Sequence, residues 1–300
     1  MMKSPKLIVI QGPTASGKTK LAVELAKKLE TVVISADSRQ FYKEISIGTA
    51  KPTLEEMQGV PHFFINSHQL SDEVSAARFT SEALKLIQTD LSELEFVIVV
   101  GGSGLFIQAL CEGLDAIPHD QNLRMELTDI FEKNGLNHFL EELKLKDKSF
   151  YDKVDKENPY RVLRAIEAMR ISGKTMTELR SGESVSHFDE VHYYTIEVPR
   201  EELYARINER VDHMITLGLE KEAREVYPMK HLKSLQTVGY REFFDYFDGQ
   251  ISREKAIELI KQHSRNYAKR QITWFKSHHP GIILNLCFEQ NIESILSEIN

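Results

Sequence analysis

The chain is short of cysteine, with only Cys111 and Cys287 in 300 residues. The two lie far apart and match no metal-ligand spacing, which excludes a disulfide framework and a cysteine-based zinc site and fits a reducing compartment. No run approaches the roughly 20 apolar residues needed to span a bilayer. The N-terminus also lacks the charged-then-apolar layout of a secretion signal, so a soluble, cytoplasmic protein without membrane association is expected. There is no excess of positive charge either. Lys and Arg number 38 against 45 Asp and Glu, a net charge of −7. That excludes a broadly basic nucleic-acid coat and confines any such contact to a local patch. Internal repeats and low-complexity tracts are also missing.

What is present is a chain long enough for one main domain with an insertion, and a 41% apolar content that can bury a sizeable core. "LIVI" (7–10) and "TVVISA" (31–36) are β-rich runs, and between them Leu21, Ala22, Leu25, Ala26 and Leu29 recur on one helical face. This is a βαβ unit. "HFFIN" (62–66), a helical run from Ala76 to Leu91 and "FVIVVGG" (96–102) continue it. Such continuous apolar strands predict a parallel sheet covered by helices on both faces. From about Ile117 to Val191 the sequence turns charged and helix-rich, which predicts a helical insertion domain over 118–190 between core segments 1–117 and 191–300. "HYYTIEV" (192–198) resumes the β pattern, a long helix is expected over 253–276, and "IILNL" (282–286) closes the list of strands.

"GPTASGKT" (12–19) falls between the first strand and the first helix. Gly12, Gly17, Lys18 and Thr19 satisfy G-x-x-x-x-G-K-[ST] in the strand–turn–helix context that distinguishes a phosphate loop from a glycine turn that merely starts a helix. A P-loop NTPase-like fold is therefore expected, with residues Gly12, Pro13, Thr14, Ala15, Ser16 and Gly17 closing around an anion. The helix N-terminus adds a favourable dipole, Lys18 neutralises charge, and the Thr19 hydroxyl can ligate Mg²⁺.

A second constellation is "SADSRQFYKEISIGTAKP" (35–52). Asp37 ends a strand expected to run beside the phosphate loop, at the carboxyl edge where α/β sheets hold ligands. It is positioned to meet whatever the loop holds, and reads equally as a Walker-B type Mg²⁺ ligand or a helix cap. Ser38, Arg39 and Gln40 can hydrogen-bond bases and phosphates, and Phe41 and Tyr42 can stack, a mixture suited to a nucleobase.

These stretches, with "VGGSGLFIQAL" (100–110), "NPYRVLRAIE" (158–167), "TVGYREF" (237–243) and "YAKRQITWF" (267–275), resemble the bacterial tRNA dimethylallyltransferases, in that family's order and over nearly the whole chain. Phe106 departs from the tyrosine common there. The resemblance implies that the loop holds dimethylallyl diphosphate rather than ATP. It further implies that the five-carbon group goes to N6 of the adenosine 3′ of a tRNA anticodon, with Mg²⁺ on Thr19 and Asp37 accepting the N6 proton. It assigns tRNA contacts to Asp37, Ser38, Arg39, Gln40, Ser103, Arg124, Arg161, Val162, Leu163 and Arg164, and it implies a monomer. The rival readings are an adenylate isopentenyltransferase, an ATP-dependent kinase and an RNA-binding NTPase switch.

Local charge bears on how a net-acidic chain meets RNA. Arg161 and Arg164 share a helical face, which is either a phosphate contact or an ordinary solvated surface. Between Arg253 and Lys276, seven Lys or Arg face two Glu, and Lys261, Arg265 and Lys269 recur every four residues. Trp274 and Phe275 continue an apolar stripe and read as core more readily than as stacking residues. Arg224 either reaches the diphosphate or forms a surface ion pair.

Overall fold

The protein is represented by a computed structural model that describes residues 4–115, 117–180 and 186–299. It divides into two compact units, Met1–Glu112 with Ser186–Asn300, and Gly113–Val185; the sequence pattern set the joints after residues 117 and 190. In the first unit the chain runs through β1 (Lys6–Gln11), α1 (Lys18–Lys28), β2 (Val33–Ser35), α2 (Leu54–Met57), β3 (His62–Phe63), α3 (Ala76–Thr89), β4 (Phe96–Gly101) and α4 (Gly104–Glu112). The second unit holds α5 (Gln121–Asn134), α6 (Asn137–Lys146), α7 (Lys148–Lys153), α8 (Pro159–Ser172) and α9 (Met176–Leu179). The chain then returns to the first unit with β5 (Val191–Ile196), α10 (Arg200–Leu217), α11 (Leu219–Val226), α12 (Arg241–Phe247), α13 (Arg253–His278), β6 (Ile282–Leu284) and α14 (Phe288–Ile299). Among the described residues no helix is long and apolar enough to cross a membrane.

The strands form one sheet in the order β3-β2-β4-β1-β5-β6, every pair parallel. Alternate residues of the central strands feed two separate cores, as a pleat of period two requires. Ile8, Ile10 and Ile98 pack on one face with Leu21 and Leu25 of α1, while Leu7, Val9 and Val97 pack on the other with Phe79 and Ala83 of α3. The first of these cores also takes Leu284 of β6 and Ile292, Ile295 and Ile299 of α14. A third core lies beneath α11, α12 and α13 and includes Ile45, Leu219, Tyr240 and Phe243. The second unit has a core of its own around Leu127, Phe139, Val162 and Ile166.

Two expectations change. The strand at "HFFIN" is only two residues long, because Phe64 and Asn66 take left-handed backbone with φ of 62° and 54° and end the extended run. The strand before Asp37 does not lie beside β1: β4 stands between them, paired to β1 on one side and to β2 on the other. Asp37 approaches the phosphate loop across the end of β4 rather than from a neighbouring strand.

Candidate active site

At the carboxyl end of the sheet, Gln11 of β1 sits in register with Gly101 and Thr195, and the chain turns into the loop 12–17. Gly17 adopts φ +90°, and a Cβ there would lie 2.7 Å from the Phe288 ring, so only glycine fits both the backbone and the packing. Lys18 Nζ donates to the Pro13 carbonyl at 2.6 Å, while Ser16 Oγ is buried with no hydrogen-bond partner. A buried hydroxyl left unpaired in this loop fits the anion-binding geometry its motif predicts. Burial lowers the Lys18 pKa; Asp37 opposes this and Arg210 adds to it, leaving a value of about 7.

Two distant side chains shape the loop. Arg210 of α10 donates to Thr14 Oγ1 at 2.9 Å, and burial lowers its pKa. Gln271 of α13 accepts from Thr14 N at 2.9 Å and donates to the Gly102 carbonyl at 2.9 Å, tying the loop to the turn after β4. Asp37 lies in a turn rather than at a helix start: its Oδ1 accepts from Arg39 N at 3.0 Å, and no helix begins before α2. The helix-cap reading therefore falls. Ser103 braces this turn, its Oγ accepting from Ser38 N at 3.0 Å and its own N–H donating to the Ala36 carbonyl at 3.3 Å.

Two cavities meet here. The larger, about 740 Å³, is walled by Thr14, Ala15, Ser16, Gly17, Lys18 and Thr19 together with Gln40, Lys51, Arg206 and Gln271. The smaller, about 310 Å³, is walled by Ser38, Arg39, Thr49, Thr237, Tyr267 and Arg270. Thr14, Asp37, Arg210 and Met214 belong to both walls.

Several sequence assignments move. Gln40 borders the larger cavity, and its amide is engaged with Ser35 and with the Thr49 and Ala50 carbonyls. Phe41 and Tyr42 are buried in cores, Phe41 stacked on Phe79 with centroids 5.5 Å apart, so neither offers a base-stacking face. Phe106 joins that aromatic cluster. Arg224 is exposed, over the Phe247 ring and 3.8 Å from Glu220, which is the surface ion-pair reading; Arg206 and Arg210 are the arginines that line the larger cavity. The Lys261, Arg265, Lys269 row faces α10, meeting Asp212, Asn208 and the Tyr204 ring in turn. Phe275 is core, and Trp274 packs on it and stacks on His278.

In the second unit, Val162 and Leu163 are buried, so their side chains are core rather than contact surface. Arg124 and Arg164 both bind the fully buried Glu167, and Arg164 also donates to the Ile117 and Pro118 carbonyls. Burial works against the Glu167 charge, but hydrogen bonds from Arg124, the Asp120 N–H, His119 and Arg164 outweigh it and hold its pKa down at about 2. Arg161 remains exposed.

Sequence reasoning missed Arg210, Gln271 and Glu222. Arg206 and Arg210 stand four apart beside the Leu203, Ile207, Val211 stripe of α10, a signal that could have marked a basic edge next to a buried face.

The family model described as IPP transferase matches residues 40–278. A curated relative, the tRNA dimethylallyltransferase of Cytophaga hutchinsonii, is 47% identical over 287 residues, covering 93% of this chain and 94% of the relative. The crystal structure of the tRNA isopentenylpyrophosphate transferase from Staphylococcus epidermidis is 37% identical, with a TM-score of 0.72 over 99% of both chains. A eukaryotic dimethylallyltransferase acting on tRNA matches at 28% identity with a TM-score of 0.79, over 94% of this chain and 74% of that one.

Proposed function

The chain belongs to the IPP transferase family, and on that premise we propose that it is a tRNA dimethylallyltransferase, moving the five-carbon group from dimethylallyl diphosphate to N6 of the adenosine 3′ of the anticodon. The observation that carries the reaction is the shared wall: Thr14, Asp37 and Arg210 border both cavities, so a donor in one and an acceptor in the other meet at these side chains. The diphosphate lies in the loop 12–19. The adenine leaves the anticodon stack and enters the smaller cavity, where Ser38, Arg39, Tyr267 and Arg270 surround it.

The N6 lone pair forms the new bond to the allylic carbon as the carbon–oxygen bond breaks and its electron pair departs with diphosphate. Asp37 accepts the N6 proton. Lys18, Arg210 and the loop amides stand where negative charge grows on the leaving group, and interactions that strengthen there accelerate the step. Among the described residues no cluster of three or more His, Cys, Asp or Glu could cage a metal ion. The Thr19 hydroxyl on the wall of the larger cavity is the group that would hold a Mg²⁺ there. When bound, that ion supplies charge neutralisation to the diphosphate. The scarcity of cysteine supports a cytoplasmic setting, and a monomer suffices because one chain supplies both cavity walls.

Incubation with an unmodified anticodon stem-loop and dimethylallyl diphosphate, followed by mass spectrometry of the nucleosides, is expected to yield dimethylallyl-adenosine. Parallel reactions with AMP as acceptor, and with ATP in place of the prenyl donor, test the rival readings. Product in either of those alone overturns the proposal.

A further inference from the structure

Resting on the reading of the two cavities as donor and acceptor sites, we propose that Glu222 is a positioning residue for prenyl transfer, holding the segment Ser46–Lys51 as the partition between them. The segment has no regular secondary structure; the Ala50 and Lys51 N–H groups donate within it to the Ile47 and Ser46 carbonyls, and several of its other backbone groups take partners from outside. Those partners divide by side. The carbonyls of Thr49 and Ala50 accept from the Gln40 amide. The N–H groups of Ser46 and Ile47 donate to Glu222 Oε2 at 2.8 and 2.9 Å, and that of Gly48 donates to Oε1 at 3.0 Å. Three consecutive amides converging on one anion form a nest, here filled by the protein's own carboxylate. Tyr240 Oη completes it, donating to Oε1 at 2.5 Å.

The partition shows different residues to each cavity. Ser46, Ile47, Ala50 and Lys51 face the larger, and Gly48 and Thr49 face the smaller. Position 48 has no room for more than glycine, because a Cβ would come within 2.6 Å of Tyr240 Oη. Glu222 can reach because Gly218, at φ +101°, breaks the helical path between α10 and α11 and turns α11 toward the loop. A shift of the partition would move a wall of both cavities at once and alter the alignment of the allylic carbon with N6, and misplacement of reacting atoms by about 1 Å can cost about 10²-fold in rate.

The test is single-turnover transfer at saturating donor and stem-loop, run well below each variant's melting temperature. Glu222→Gln keeps one acceptor oxygen but turns an amide NH₂ toward the backbone donors, and about a 10²-fold slower step is expected. Tyr240→Phe removes one hydrogen bond and should slow it by about 5-fold. The double variant should be no slower than Glu222→Gln, since the tyrosine acts through the carboxylate. A merely structural role would lower the melting temperature and leave the single-turnover rate of the folded enzyme alone. A wild-type rate in folded Glu222→Gln, or in Tyr240→Phe should Glu222→Gln not fold, overturns the inference. Absence of product with the wild-type enzyme overturns instead the reading of the cavities, and this inference with it.

Discussion

The roles proposed for Asp37 and Lys18 fall in opposite halves of the chemistry, and each can be tested alone. Asp37→Asn keeps the size of the side chain but removes the proton acceptor, so single-turnover transfer should fall by roughly 10²- to 10⁴-fold while donor and tRNA still bind. If excess Mg²⁺ alone restores the rate, Asp37 is a metal ligand and the base role is wrong. Lys18 predicts a pH dependence. In the free enzyme its pKa is about 7, and a bound diphosphate must raise it, because an adjacent anion favours the charged form. Below pH 7 the lysine is already protonated and donor affinity should be level with respect to this group; above it, each donor bound takes up a proton, and Kd should rise by up to about tenfold per pH unit. Calorimetry in buffers of different ionisation enthalpy measures that uptake, and Lys18→Met should abolish it. Lys18, Thr19 and Asp37 were legible because a local motif announces them. Arg210 and Gln271 were not, since each joins Thr14 across about two hundred residues of chain, 196 and 257 apart, and no spacing rule reaches that far.

At the level of single elements, α8 separates two arginines that the sequence had placed together. Arg164 is held by Glu167 and two carbonyls, whereas Arg161 stands in solvent. Arg161→Ala is expected to weaken tRNA binding and flatten the slope of log affinity against log salt by about one. Arg164→Ala should instead lower the stability of the second unit by up to about 3 kcal/mol, by leaving part of the Glu167 charge uncompensated, and should leave that slope unchanged. Equal slopes for wild type and Arg161→Ala would return Arg161 to an ordinary solvated residue. Glu167 sets a pH window of its own. Its folded pKa is depressed to about 2, so its contribution is complete above the unfolded value of about 4.5 and is lost as pH falls from there toward 2. Hydrogen exchange at α8 across that range should show protection declining in step. Helix periodicity revealed that α8 buries Val162 and Ile166. It could not reveal that Arg164 turns back to a buried carboxylate, because Glu167 looks like any surface charge until its surroundings are known.

For the molecule as a whole, the parallel sheet was legible from its unbroken apolar strands, and the helical insertion from the loss of β pattern after Ile117. Strand order was not, because insertion of β4 between β1 and β2 is decided by crossover packing rather than by any residue of those strands. The basic row of α13 misled for a related reason: its period of four is real, but the face it marks is covered by α10, with Lys261 on Asp212 and Arg265 on Asn208. Positive charge at the smaller cavity comes instead from Arg39, Arg210, Arg241 and Arg270. A net charge of −7 is therefore compatible with RNA chemistry, since the cations that matter line a hollow instead of coating a surface.

The packing of Phe288 on Gly17, with Ile292, Ile295 and Ile299 sharing a core with β1 and α1, joins the first strand to the last helix. The phosphate loop is thus backed by a ring 271 residues further along the chain, so its shape depends on long-range packing and not on the loop alone. Phe288→Ala should therefore loosen the loop and weaken diphosphate binding, measured by calorimetry, although residue 288 touches no part of the proposed ligand.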